Sequence, residues 1–276
     1  MTGKEQSQSA VQDVAIQAIA LTRQFGEVTA VDHIHLQVGH GTIFGLLGPN
    51  GAGKSTTIKI LTTLLDPTSG AARVAGFDVA KNPREVRRRI GYVPQMLSAD
   101  GSLTGRENLM LSAKLYGMAR ADRKERVAEA LNFMGISEAG DRLAKTYSGG
   151  MIRRLEVAQA MLHRPAVLFL DEPTIGLDPV ARWAVWERLR ELNERFGMTV
   201  LITTHDMDEA DSLCSELAIL HRGKVSATGK PSELKAALGP EATLDDVFAH
   251  FSGGSIHEGG DYRDIRRTRS TASRLG

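Results

Sequence analysis

The chain has 276 residues, 42% of them hydrophobic, and its 34 lysines and arginines stand against 33 aspartates and glutamates for a net charge of +1. That apolar content suffices for a packed core and excludes general disorder, and the balanced charge excludes nucleic acid as a bulk electrostatic partner. A single cysteine, Cys214, excludes an internal disulfide, suits a reducing compartment, and is expected to be a buried structural thiol.

Residues 1–13 are polar and read as a flexible N-terminus with no signal peptide. No stretch reaches the ~20 apolar residues that span a bilayer, so any work on a membrane is done from outside it. Residues 14–38 have strand character, with Asp32, Ile34, Leu36 and Val38 on one face and His33, His35 and Gln37 on the other. A buried strand follows over 42–47. It empties into Gly48, Pro49, Asn50, Gly51, Ala52, Gly53, Lys54 and Ser55, a complete G-x-x-x-x-G-K-[ST] phosphate loop. Its glycine N–H groups wrap phosphate oxygens, Lys54 reaches the β- and γ-phosphates, and the Ser55 hydroxyl faces Mg²⁺. Thr56 opens a helix over 56–65 with Ile58, Leu61 and Leu65 on one face, so the phosphates sit at a helix N-terminus.

Residues 66–70 read as a turn, and Asn82-Pro83 caps a short basic helix over 84–90. A helix-rich segment runs from about 102 to 146, its second helix placing Val127, Leu131 and Met134 together. Ser148, Gly149 and Gly150 open another helix and make a second anion cradle with no lysine of its own. Two cradles on a chain with one triphosphate loop point to two copies facing head-to-tail.

Residues 166–170 form an apolar run of the buried parallel-strand kind and end in Asp171-Glu172-Pro173. A carboxylate that holds Mg²⁺ through water (Asp171) and a general base turned to the γ-phosphate (Glu172) complete a hydrolytic site. A helix from Asp178-Pro179 is expected to bury Val185, Leu189, Leu192 and Phe196 before Gly197 stops it. Residues 198–203 are another buried strand, and 217–227 a hairpin turning at Arg222-Gly223. Residues 252–276, with two glycine pairs and five arginines, read as a disordered basic tail. The fold class is α/β: a P-loop NTPase core with an N-terminal antiparallel β subdomain and an inserted helical subdomain at about 96–160.

These residues resemble the nucleotide-binding subunits of ATP-binding cassette (ABC) transporters over nearly all of residues 16–250. Gly48 to Ser55 matches the Walker A loop, Gln95 the Q-loop glutamine, and Ser148-Gly149-Gly150 the signature. Asp171 and Glu172 match the Walker B pair, Gly176-Leu177-Asp178 the D-loop, and His205 the switch histidine. The resemblance implies that Phe25 stacks on adenine, that Gln95 joins Ser55 and Asp171 at Mg²⁺, and that Gln95, Glu172 and His205 act in ATP hydrolysis. Ser148, Gly149, Gly150 and Asp178 then reach the nucleotide of a second copy, the same chain or a paralogue.

The signature departs from the usual Leu-Ser-Gly-Gly-Gln in having Tyr147 before it and Met151 after it. That variant, with residues 103–109 and 244–248, is similar to the daunorubicin-type drug-resistance exporter branch. An integral membrane permease is the implied partner, docked in the groove near residues 95–109, with the chain on the cytoplasmic face of the membrane and 14–251 as its ATPase domain. The alternative is a cassette ATPase of a soluble assembly machine.

Overall fold

The computed structural model describes residues 14–252. The flexible N-terminus expected over 1–13 and residues 253–276 of the tail expected over 252–276 lie outside the described residues. Ser252, placed in that tail by sequence, instead caps the last helix, its amide bonded to the Phe248 carbonyl at 2.9 Å.

In chain order the elements are β1 (Val14–Phe25), β2 (Val28–Gly39), β3 (Ile43–Leu47), α1 (Lys54–Leu61), β4 (Ser69–Val74), β5 (Phe77–Asp78), α2 (Pro83–Arg89) and β6 (Ile90–Val93). Then come α3 (Gly105–Leu115), α4 (Arg120–Phe133), two 3-10 turns (Ser137–Ala139 and Ala144–Thr146), α5 (Gly149–Met161), β7 (Val167–Asp171) and α6 (Pro179–Phe196). The chain continues through β8 (Thr199–Thr204), α7 (Met207–Leu213), β9 (Glu216–His221), β10 (Lys224–Gly229), α8 (Pro231–Ala236) and α9 (Leu244–Phe251).

Two sheets result. An antiparallel one has the order β2-β1-β4-β5, and a six-stranded one the order β10-β9-β3-β8-β7-β6, parallel except for β10. The strand character expected over 14–38 takes the form of an antiparallel hairpin turning at Gly26-Glu27. Its alternation holds from Ile34 to Val38, but a step of three separates buried Val31 from buried Ile34 because His33 adopts φ 50°.

The central strands of the six-stranded sheet lie between two apolar layers, and β7 shows why they carry no polar face, unlike the edge strand β10, which exposes Lys224, Ser226 and Thr228. Val167 and Phe169 enter the cluster shared with β1, β2 and α1, whereas Leu168 and Leu170 enter the one shared with α4, α5 and α6. Strands buried on both faces read as continuous apolar runs.

Four local expectations are revised. The phosphate loop runs straight into α1, so that helix starts at Lys54, and Thr63 at φ 63° ends it before Leu65. Residues 69 and 70 already belong to β4, which turns into β5 through Ala75 and Gly76, both at positive φ. Ile90 opens β6 and does not close α2. Phe196 is 43% exposed: it is the last residue of α6, past the sheet, with its ring against Phe133 and under the Arg195 guanidinium. Cys214, by contrast, is fully buried after α7, and burial pushes its thiol far up.

Candidate active site

The C-terminal ends of β3, β7 and β8 lie side by side in register, Leu47 opposite Thr204 and Asp171 opposite Thr203. Each strand end delivers part of one site. β3 leads into the phosphate loop, where Gly51 and Gly53 take φ 80° and 102°. A Cβ on Gly48 would stand 2.4 Å from the Leu220 carbonyl oxygen, and one on Gly53 2.4 Å from that of Ala30. Glycine is therefore imposed here by neighbouring backbone as well as by the turn.

Lys54, the first residue of α1, is buried. Its Nζ donates to the carbonyls of Gly48 at 2.7 Å and Pro49 at 3.1 Å and lies 3.2 Å from Glu172 Oε1. Burial draws the ammonium below the ordinary lysine value, against the pull of Glu172 and Asp171. Ser55 Oγ donates to Asp171 Oδ1 at 3.0 Å, across 116 residues of sequence. Oxygens from two elements thus converge as hard donors of the kind Mg²⁺ takes, and the glycine backbone beside them leaves the room a phosphate needs.

Glu172 follows β7 in the left-handed region at φ 49°. Its amide donates to Thr203 Oγ1 at 2.9 Å. Its carboxylate collects Lys54 on Oε1, His205 Nδ1 at 3.3 Å on the same oxygen, and Gln95 Nε2 at 3.2 Å on Oε2. Lys54, Ser55, Gln95, Asp171, Glu172 and His205 are therefore brought together. His205 is half-exposed at the mouth of this cluster and Glu172 is buried in it.

Thr203 was missed. Its hydroxyl donates to Asp171 Oδ1 at 2.6 Å while accepting from the Glu172 amide, so one side chain orients both acids. The available signal was a fully buried threonine pair ending an aliphatic strand. Glu209 was missed as well. It is buried on α7 and accepts from Thr174 Oγ1 at 2.7 Å and Trp186 Nε1 at 2.8 Å, tying the segment after Glu172 to α6 and α7.

The remaining expected residues sit apart from the cluster. Ser148 caps α5, its Oγ accepting from the Met151 amide at 3.3 Å, and Asp178 caps α6 through the Ala181 amide at 2.9 Å. The two helix starts touch: a Cβ on Gly150 would meet Ala181 Cβ at 2.7 Å, and one on Gly149 would lie 3.3 Å from Leu177 Cδ2. Among the described residues no hydrogen bond or ion pair joins Ser148, Gly149, Gly150 or Asp178 to the Lys54–Glu172 cluster. Phe25 ends β1, half-exposed beneath the Arg23 guanidinium at 4.6 Å. The unusual Tyr147 has a structural role, since its buried hydroxyl donates to the Ala139 carbonyl at 2.5 Å. Met151 packs its thioether chain on the same apolar layer.

A model of one protein family, described as ABC transporter, matches residues 31–175. The chain belongs to the ABC transporter family. Curated relatives of this ABC ATPase include the daunorubicin/doxorubicin resistance ATP-binding protein DrrA of Streptomyces peucetius, 49% identical over 82% of this chain and 68% of the relative. The linearmycin resistance ATP-binding protein LnrL of Bacillus subtilis is 39% identical over 83% and 73%. Among solved structures, an ATP-binding subunit of an ABC transporter superposes with a TM-score of 0.77 at 30% identity, covering 86% of this chain and 99% of that one. A dimeric ATP-binding cassette in a post-hydrolysis state with ADP and Pi gives 0.70 at 27% identity, covering 78% and 98%. This ABC ATPase thus has the P-loop NTPase fold with its antiparallel sheet and helical layer, and it binds and hydrolyses ATP.

Proposed function

We propose that the chain is the ATPase subunit of an exporter for a drug, an antibiotic or another hydrophobic compound, dimerising around two ATP molecules and driving a separate integral permease. The observation that carries the reading is the convergence of Lys54, Ser55, Gln95, Asp171, Glu172 and His205 at adjoining strand ends. The resistance names of the relatives supply the cargo class.

Lys54 and the glycine amides of residues 48–53 bind the phosphates, and Phe25 stacks on the base. Ser55, Gln95 and Asp171 would hold Mg²⁺, which would supply neutralisation of the charge that develops on the phosphates. Glu172 takes a proton from the attacking water, with Thr203 and Lys54 fixing its orientation and His205 facing the γ-phosphate. Ser148, Gly149, Gly150 and Asp178 act on the nucleotide of the other copy, which is the same chain or a paralogue. ATP favours the closed dimer, and its hydrolysis removes that preference.

No helix among the described residues is long and apolar enough to cross a membrane, so the spanning part is assigned to the permease and this chain to the cytoplasmic face. Residues 14–251 form the ATPase domain, with the helical subdomain at about 96–160. Met96 and Leu97, exposed by 83% and 61% beside Gln95, support a permease-facing surface there. Arg106 and Glu107 are poorer probes of that surface than their charge suggests, because Arg106 pairs with Asp141 at 2.7 Å and Glu107 closes a capping box with Thr104.

The test is a pull-down of the tagged chain from detergent-solubilised membranes. An integral membrane protein that is lost when Met96 and Leu97 are both changed to aspartate supports the reading. A purely soluble partner would replace it with the assembly-machine alternative.

A further inference from the structure

The segment after β6 has no ladder to satisfy its backbone, and a buried ion pair on α5 does so instead. Arg153 Nη1 donates to the Pro94 carbonyl at 2.8 Å and Nη2 to the Gln95 carbonyl at 3.0 Å. Glu156 Oε1 accepts from the Ser98 amide, from Ser98 Oγ at 3.1 Å and from the Ala99 amide at 3.3 Å. The two side chains pair at 3.0 Å and are 3% and 1% exposed. One turn of helix thus grips both ends of the loop that carries Gln95. Asn108 continues the attachment, exchanging hydrogen bonds with the Asp100 amide and carbonyl at 2.9 Å each and so tying the loop to α3.

A buried ion pair seldom stabilises more than apolar residues of the same volume would. What apolar side chains cannot do is hold two carbonyls and two amides in one place. The guanidinium fork spans both carbonyls at once, a geometry lysine lacks.

The placement gives the grip a consequence. Gln95 has its carbonyl on Arg153 and its side chain on Glu172. Arg153 lies five residues into the helix that Ser148 caps, ~7.5 Å along its axis. We propose that Arg153 and Glu156 are positioning residues that join the Gln95 loop and the Ser148–Gly150 helix start into one lever, through which the occupancy of a chain's own ATP site moves the cradle it offers to the other copy's ATP. The inference rests on the dimeric ATPase reading above and adds to it the route by which the two sites cooperate.

Arg153→Lys tests it in the purified full chain, since it keeps the charge beside Glu156 and loses the fork. The expected result is a folded protein whose ADP affinity stays within about threefold of the parent's, whose kcat falls about tenfold, and whose Hill coefficient for ATP drops from near 2 towards 1. Without nucleotide, amide exchange over residues 95–99 rises while that of β6 and α5 holds. Should Arg153→Lys not fold, the double variant Arg153→Met/Glu156→Leu, which removes both charges, is read in the same way. Parental kcat and Hill coefficient in a folded variant would overturn the lever, as would an equal loss of ADP affinity and kcat. A parent chain that neither hydrolyses ATP nor responds cooperatively to it would overturn the dimeric reading itself, and the lever with it.

Discussion

Glu172 is held at φ 49° with its amide on Thr203 and its carboxylate among Lys54, Gln95 and His205. A non-glycine residue in that region costs on the order of 1–3 kcal/mol, and it persists where surrounding bonds over-determine it. Glu172→Gln keeps the shape and the hydrogen-bonding capacity but removes the base. It is expected to lower kcat by about 10²–10⁴ while ATP affinity persists, and size-exclusion chromatography with saturating Mg²⁺ and ATP should find it as a dimer. A monomer with parental turnover would remove Glu172 from the role of base. Gly53 presents a different constraint, a backbone at φ 102° pressed against Ala30. Gly53→Ala is expected to destabilise the fold by more than about 1 kcal/mol and to weaken ATP binding, checked by thermal unfolding with and without nucleotide. Gly48 to Ser55 was legible in sequence because the chemistry needs consecutive residues. Thr203 was not, because its partners Asp171 and Glu172 come from the neighbouring strand.

Among the elements, α7 and α6 are locked to the segment after Glu172 by the Glu209 carboxyl, which is 1% exposed. Burial pushes this carboxyl above the ordinary carboxylate range, against the hydrogen bonds it accepts from Thr204, Thr174 and Trp186. A raised folded value means that the folded state favours the protonated acid. The contribution to stability is complete below the ordinary carboxylate value and is lost as pH rises through the raised one. Glu209→Gln keeps an acceptor for Thr174 and Trp186 without a charge to bury, so its melting temperature should decline less over that rise in pH. Parallel declines in the two proteins would show that Glu209 does not titrate in this window. Helices announced themselves through their caps: Asn82-Pro83 before α2, Ser148 before α5, and Asp178-Pro179 before α6. Strands β4 to β6 did not. β4 buries only Ala72 and Val74, β5 has two residues, and β6 has four, one of them a glycine fitted against the Ala160 carbonyl. Pieces so short, or in β4 so poor in apolar residues, are strands because a neighbour pairs with them.

For the whole molecule, the six-stranded sheet is the shared wall of two apolar layers, so damage to either side should be felt as one event. Phe169, wholly buried on β7 against α1 and the first sheet, is the sharpest probe. Phe169→Ala is expected to cost about 3–5 kcal/mol in urea unfolding and to shift a single transition. Two separated transitions would mean that the layers unfold independently. The sequence by itself determined the phosphate loop, the acidic strand end, the helix starts and the parallel α/β class, because each depends on residues a few positions apart and on the period of the apolar pattern. Tertiary structure alone decided that Ser55 meets Asp171, that Gln95 and His205 reach the same carboxylate, and that Arg153 holds the Gln95 loop. Those contacts join residues 33 to 116 positions apart, and such distances close only when burial of the apolar strand faces fixes which strand lies beside which.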